Sequence, residues 1–255
     1  IFMNFKKENQ NIDDKVNEKN NNKLFFHLLW NTFLASIASN FVWFALVFWV
    51  YLETKSITLT SFIWGLYLFI VFISWIFFGA FVDHYKKKIV MLISTWLAFL
   101  FFIFAGSLFI YFPLEFFTYA SSIYLRIFII LIMLGVIIWN IRIVAMSTMM
   151  TLLFDDENRD KANGILWITN GISFWIVSVF SWLTIWFLWM WWAVWMTIIA
   201  WLLRIIHLLF LSFPIEDFSH QKKEWKKIDI IGTIKIISGI SWLFGLIFFS
   251  MFNNF

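Results

Sequence analysis

Cysteine is absent from the 255-residue chain, which excludes a disulfide framework and any thiolate metal site. Charge is scarce: 13% of the residues are Asp, Glu, Lys or Arg, against about 25% in an ordinary soluble domain. Glycine is scarce too, with 9 residues beside 18 tryptophans. Apolar residues fill the chain instead, at 62%, where about 45–50% is usual. A soluble fold of this length cannot hide that much apolar surface, so the solvent must be lipid. The net charge of +4 resides in short polar connections. No basic face remains outside them, which excludes a nucleic-acid footprint.

About 20 apolar residues cross the roughly 30 Å hydrocarbon core, and a lone span must be helical to satisfy its backbone in lipid. Seven runs qualify: Leu24–Leu52, Leu59–Val82, Ile89–Phe112, Ile127–Leu153, Ile165–Ile185, Phe187–Phe213 and Ile228–Phe252. The stretch Ile165–Leu203 carries no charge and is too long for one crossing. It is expected to form two spans joined by a tight turn near Trp186–Trp189. The fold class predicted is therefore an all-α integral membrane protein, a six-helix transmembrane bundle followed by a seventh helix.

Residues 1–23 are polar, Asn-rich and charged. They lack the apolar core of a signal peptide and are expected to be a disordered tail. The six spans occupy 24–213, a polar linker 214–227, and the seventh span 228–255. The chain starts with Ile, and it is expected to be a segment of a longer protein.

Orientation follows from lysine and arginine placement. Lys6, Lys7, Lys15, Lys19 and Lys23 lie in the tail, Lys86, Lys87 and Lys88 after the second span, Arg159 and Lys161 after the fourth, and Lys222, Lys223, Lys226 and Lys227 after the sixth. These connections share one side. On the other side Lys55 is the clear exception. A multi-pass protein of the plasma membrane with a cytoplasmic N-terminus is expected.

The stretch GAFVDHYKKK, residues 79–88, interrupts two apolar runs with an acid as well as lysines. Acids contribute little to orientation, so Asp83 needs another reason. The stretch resembles the loop signature between the second and third spans of the major facilitator superfamily, with Gly79, Asp83, Lys87 and Lys88 in register. His84 stands where an Arg is usual, and Lys86 where the second Gly is usual. A second stretch, DDENRDKANGILWITNGISF at 155–174, is similar to the entry into the fifth span of drug-efflux-like members, through Ala162, Asn163 and Gly164. The antiporter signatures of the fourth and fifth spans do not appear.

The resemblance covers about residues 24–252. It implies half of a twelve-helix transporter plus the first helix of the other half, working by alternating access about a central site. It also implies that Gly79, Asp83, Lys87 and Lys88 form a cytoplasmic gating motif, with Asp83 tying the two halves together. The partners implied are the lipid bilayer, a small-molecule substrate for efflux and the C-terminal half of the same protein. No cofactor or metal is implied.

Polar groups inside spans are functional candidates by default. Thr32, Ser36, Ser39 and Asn40 recur at helical spacing, on one face. They either line a cavity or bridge packed helices. Asn170 and Ser173 carry the same two readings, with packing favoured. Arg142 lies deep in the fourth span, about ten residues from its cytoplasmic end, a long reach for snorkelling, and a cavity role is expected. Arg204 and His207 lie nearer the end of the sixth span, where snorkelling or interfacial anchoring is expected. The candidate cavity lining is thus Ser36, Asn40, Arg142 and Asn170. No pair of histidines has metal-ligand spacing.

Two rival classes compete. The acidic cluster DDENRD, 155–160, suits a Mg²⁺-diphosphate site of an intramembrane prenyltransferase. Such a site needs a second cluster, however, and only the pair Glu216 and Asp217 is available. A structural membrane subunit explains the apolar mass but neither Asp83 nor Arg142.

Tryptophan is the remaining anomaly. Trp96, Trp139 and Trp175 fall mid-span, and several tryptophans stand four residues from a glycine or another tryptophan, as in Gly171 and Trp175. Small residues belong at that spacing where helices touch. One hypothesis is that many of them are glycines in the living protein, misread from UGA codons. The opposing reading, an aromatic belt, fits Trp186–Trp192. UGG codons at these positions would end the hypothesis.

Overall fold

The computed structural model of the chain describes residues 2–117, 119, 121–211 and, further on, 239, 240, 242, 245, 246 and 249. The chain divides into two compact units, Ile1–Asp217 and Phe218–Phe255. The second is described at those six positions, five of them helical. The expected linker 214–227 and most of the expected span Ile228–Phe252 lie outside the described residues.

The described part of the first unit is helical throughout, without a strand. It comprises α1 (Phe2–Thr54), α2 (Ile57–His84), α3 (Lys87–Tyr111), a single 3₁₀ turn (Leu114–Phe117), α4 (Ile123–Leu153) and α5 (Asp156–Phe210). Among the described residues, each of the five α-helices contains a stretch long and apolar enough to cross a membrane. Residues 2–23, expected as a disordered tail, instead extend α1. No proline or glycine interrupts the chain between Phe2 and Thr54, and lengthening a helix costs far less than nucleating one.

Local chemistry explains the connections. Lys55 takes a left-handed backbone (φ 52°), and Ser56 then caps α2 by accepting from the Leu59 N–H at 3.1 Å. Only Tyr85 and Lys86 separate α2 from α3. Phe112 precedes Pro113 and is extended (φ −121°, ψ 138°), as the proline ring demands of its predecessor, and α3 ends there.

α5 is a hairpin. Its helical geometry breaks at Trp189 (φ 71°, ψ 165°), at the edge of the expected turn. Asn170, in the arm before the break, meets Ser36 of α1, and the carbonyl of Arg204, in the arm after it, meets Asn31 of α1. A straight helix would hold positions 170 and 204 about 50 Å apart, yet they reach points only five residues apart on α1. The chain must therefore reverse.

The elements run up and down. Leu24, Val82, Val90, Leu153, Ala162 and Leu211 share one apolar cluster. The start of the apolar part of α1, the α2–α3 link, the α4–α5 link and the end of α5 thus lie at one end, with Lys86–Lys88, Arg159 and Lys161. At the other end the ring of Trp49 meets Phe109, Phe117 and Phe128. α1 is central: it bonds to both arms of α5 and to α4. α2 is peripheral: only 6% of its apolar window is buried, although Trp64, Tyr67 and Ile70 pack partly against the core. Large apolar side chains also face outward elsewhere, such as Trp175, Phe187 and Phe210. A soluble monomer rarely exposes so much contiguous apolar surface, which supports membrane embedding.

The tryptophans divide into two groups. Trp43, Trp49, Trp139 and Trp201 are buried and packed, whereas Trp75, Trp96 and Trp175 are exposed. Trp189 occupies a backbone region that is essentially reserved for glycine, so the misreading hypothesis is sharpest there.

Two substitutions test this packing. Gly135 lies under Phe102, and a Cβ there would stand 2.6 Å from the ring. Gly135→Ala is therefore expected to destabilise the chain by about 1–3 kcal/mol. Trp189→Gly relieves a strain of about 1–3 kcal/mol and is expected to raise the melting temperature in detergent. A Gly135→Ala variant that melts with the parent, or a Trp189→Gly variant that melts below it, would contradict these contacts.

Candidate functional site

The structure places the expected site residues in two regions. The first is the α2–α3 link. Asp83 is the next-to-last residue of α2 and is exposed, and Gly79 has open space where a Cβ would stand. The Lys87 ammonium donates to the carbonyl of Val82. That bond satisfies one of the carbonyls left over at the end of α2, and a cation there complements the helix dipole. Lys87 thus has a structural role at the turn.

The second region is buried between α1, α4 and the second arm of α5. Arg142 of α4 is only 1% exposed. Its Nη2 donates to Asn31 Oδ1 at 2.5 Å and reaches Thr32 Oγ1 at 3.4 Å. The sequence leads to the expectation of a cavity role for Arg142; the structure shows its Nη2 bonded within the packing of α1 and α4. Its Nε and Nη1 have no acceptor among the described residues.

Asn31 is fully buried and links three helices. Its Oδ1 accepts from Arg142, while its Nδ2 lies 2.9 Å from His207 Nδ1 and 3.4 Å from the carbonyl of Arg204. If Nδ2 donates to His207, then His207 Nδ1 carries no proton in that bond. The His27 ring stands 6.1 Å from that of His207.

Arg204 corrects an expectation. Its position toward the end of a span suggested snorkelling, but it is 1% exposed. Its guanidinium carbon lies 4.1 Å from the centroid of Trp201 and 5.5 Å from that of Trp139. These indole faces hold the cation inside the bundle, and α4 covers it. None of its three nitrogens has a hydrogen-bond acceptor among the described residues. The charge of Arg142 acts on it electrostatically. Two positive charges are therefore buried close together, and no carboxylate among the described residues bonds to either.

The other cavity-lining candidates divide. Ser36 Oγ donates to Asn170 Oδ1 at 2.7 Å, which joins α1 to the first arm of α5. Ser181 reinforces that contact by donating to the carbonyl of Phe41 at 3.0 Å. Ser173 is buried and donates to the carbonyl of Thr169 within its own helix. Thr32 and Ser39 are buried on α1, whereas Asn40 is half-buried. Sequence reasoning missed Asn31. Its signal was present: it is the polar residue directly before Thr32, one turn before the small residue Ala35, in a helix otherwise apolar at that depth.

A cavity of about 720 Å³ opens at the lysine-bearing end. It is bordered by Asn21, Phe25, Leu153, Asp155, Asn158 and Lys161, among others. The acidic cluster 155–160 begins α5 here, with Asp155 as the N-cap residue, where negative charge complements the helix dipole. Among the described residues no group of three His, Asp or Glu side chains is placed to hold a metal ion.

No protein-family model, curated protein or solved structure matches this chain. The site's chemistry must therefore be argued from its own geometry.

The Asn31 hub generates a test. Asn31→Ala removes the bonds to Arg142 and His207 and deprives a buried guanidinium of its shortest acceptor, at about 1–3 kcal/mol for that charged donor. Ser36→Ala loses one bond, worth about 1 kcal/mol. Thermal unfolding in detergent should rank Asn31→Ala well below Ser36→Ala, and the reverse order would remove Asn31 from the centre of this network.

Proposed function

We propose that the chain forms the N-terminal half of a major-facilitator-type transporter in the plasma membrane, exporting small molecules by alternating access. On this reading the first unit crosses the membrane six times, with the two arms of α5 as separate crossings. Its N-terminus and lysine-bearing connections face the cytoplasm. The C-terminal half of the same protein completes the central site.

One observation carries the reading: Arg142 lies deep within a membrane-length helix, 1% exposed, bonded to neutral Asn31 and Thr32 and to no acid among the described residues. An unpaired charge at that depth costs several kcal/mol. A purely structural subunit gains nothing from that cost, whereas a transporter uses such a charge at its substrate path. Support also comes from the up-and-down helix order and from GAFVDHYKKK at a link of only two residues. The prenyltransferase alternative fares worse. Its acidic cluster already has a role at the start of α5, and it lacks a facing partner cluster among the described residues.

The motif supplies the functional test. A partly buried contact of Asp83 with the second half is worth about 1–3 kcal/mol, enough to shift a two-state balance tenfold or more. Asp83→Asn in the full-length protein is expected to leave abundance near normal and to cut export of a panel of small molecules at least tenfold. Lys87→Ala is expected to reduce it less. Export at the parental rate by Asp83→Asn would reduce the motif to an orientation signal.

Topology is tested independently, because the chain has no cysteine of its own. Single cysteines at 86 and 158 are expected to react with an impermeant thiol reagent only from the cytoplasmic side. Cysteines at 55 and 119 are expected to react only from outside. Labelling of position 86 from outside would overturn the map.

A further inference from the structure

Burying a guanidinium without a counter-charge is among the costlier arrangements a protein can adopt, and this unit does so twice. Arg142 and Arg204 are each 1% exposed, and five of their six guanidinium nitrogens have no acceptor among the described residues. The sixth, Arg142 Nη2, bonds to neutral groups. Neighbouring histidines, His207 and His27, add no negative charge. A bundle that gathers cations this way is organised around an anion.

The geometry specifies what kind of anion. The Arg204 guanidinium carbon stands over the rings of Trp201 and Trp139. Indole rings attract the cation but accept none of its in-plane N–H groups as an oxygen would, so these are left to donate. On Arg142, Asn31 and Thr32 hold Nη2 and thereby orient the guanidinium, while Nε and Nη1, which lie on different edges of it, are left over as single donors. On Arg204 all three nitrogens are left over, so a paired N–H edge that grips two oxygens at once is open there. A carboxylate or phosphate offers separate oxygens to a paired edge and to a single donor, and so matches these N–H groups better than a spherical halide does.

We propose that Arg142 and Arg204 form a binding site for an oxyanion, a carboxylate or phosphate group, held between α1, α4 and the second arm of α5. Arg142 is the donor that Asn31 orients, and Arg204, beside the indoles of Trp139 and Trp201, supplies the fork. The inference rests on the transport reading only for its consequence, that a soluble oxyanion-bearing molecule is cargo. The same chemistry also suits the phosphate of an anionic lipid. The site itself stands without transport.

Binding is measured on the 255-residue chain, purified in neutral detergent in Tris chloride at constant ionic strength. Inorganic phosphate, acetate and succinate are each titrated against added chloride while the melting temperature is followed. A parallel sample in nanodiscs compares neutral lipid with phosphatidylglycerol. A saturable rise of about 5–10 °C at a hundredfold excess over Kd is expected with at least one oxyanion, and none with chloride.

Arg142→Gln and Arg204→Gln are each expected to abolish the rise, and Lys161→Gln, at the surface, to keep it. Arg204→Lys retains the charge but loses the fork, so it is expected to fold and to weaken binding at least tenfold. A rise with soluble oxyanions identifies a small molecule as the ligand. A rise confined to phosphatidylglycerol, lost in the same variants, identifies a lipid headgroup. No rise with any oxyanion, or a rise that survives in Arg142→Gln, Arg204→Gln and Arg204→Lys, overturns the site. If the anion binds but the full-length protein exports nothing, the transport reading fails and the site stands.

Discussion

The constraint on which the structure depends is the cost of charge in an apolar solvent. Water that would solvate a guanidinium at a soluble protein's surface is absent inside a lipid-facing bundle. Each buried cation must be met by dipoles, rings or an anion. Arg142 takes dipoles from Asn31 and Thr32, while Arg204 takes the rings of Trp139 and Trp201. These answers come from α1, α4 and α5, so meeting the constraint also fixes how the three helices sit together. The polar residues of α1 are a consequence of this. Asn31, Thr32 and Ser36 face inward because the helices that need them, α4 and α5, lie there.

The same constraint separates the two ends of the unit from its middle. At the lysine-bearing end, charges are numerous and the links short, and Lys87 completes a helix end by donating to Val82. In the middle, polar contacts are few and all of them join helices or turn back onto a helix's own carbonyls. Thr95, Thr184 and Thr197 each donate to the carbonyl four residues earlier, which satisfies the hydroxyl without a partner helix. Helix association there rests on packing, as at Gly135 beneath Phe102, because lipid tails offer no hydrophobic gain for helix contact.

How far the sequence revealed this depends on which physical quantity sets each feature. The positions of the long apolar helices among the described residues were legible because they follow from run length alone. The reversal at Trp189 was legible for the same reason, an uncharged run longer than one crossing. Arg142 stood out as a lone charge amid apolar residues. The fate of Arg204 was not legible. Its distance from the span end suggested an interfacial role, but its burial depends on Trp139, 65 positions away, which no local pattern announces. Asn31 was hidden similarly, since it matters only once α4 delivers Arg142 beside it. The tail was misjudged because composition argued for disorder, while helix continuation depends on the missing Pro and Gly.

These observations bear on why the arginines are where they are. An unsatisfied buried charge persists only if something else in the protein's cycle compensates for it, because its removal would otherwise stabilise the fold. Arg142 stands on α4 and bonds to α1, while Arg204 stands on the second arm of α5 beside Trp139 of α4. Any ligand gripping both guanidiniums would therefore tie α4 to α5, and any movement that separates them would release it. Binding and helix separation would then be coupled through one geometry, with no relay of intermediate residues required. Under the proposed transport by alternating access, the proposed anion would be held in one arrangement of the helices and let go in the other.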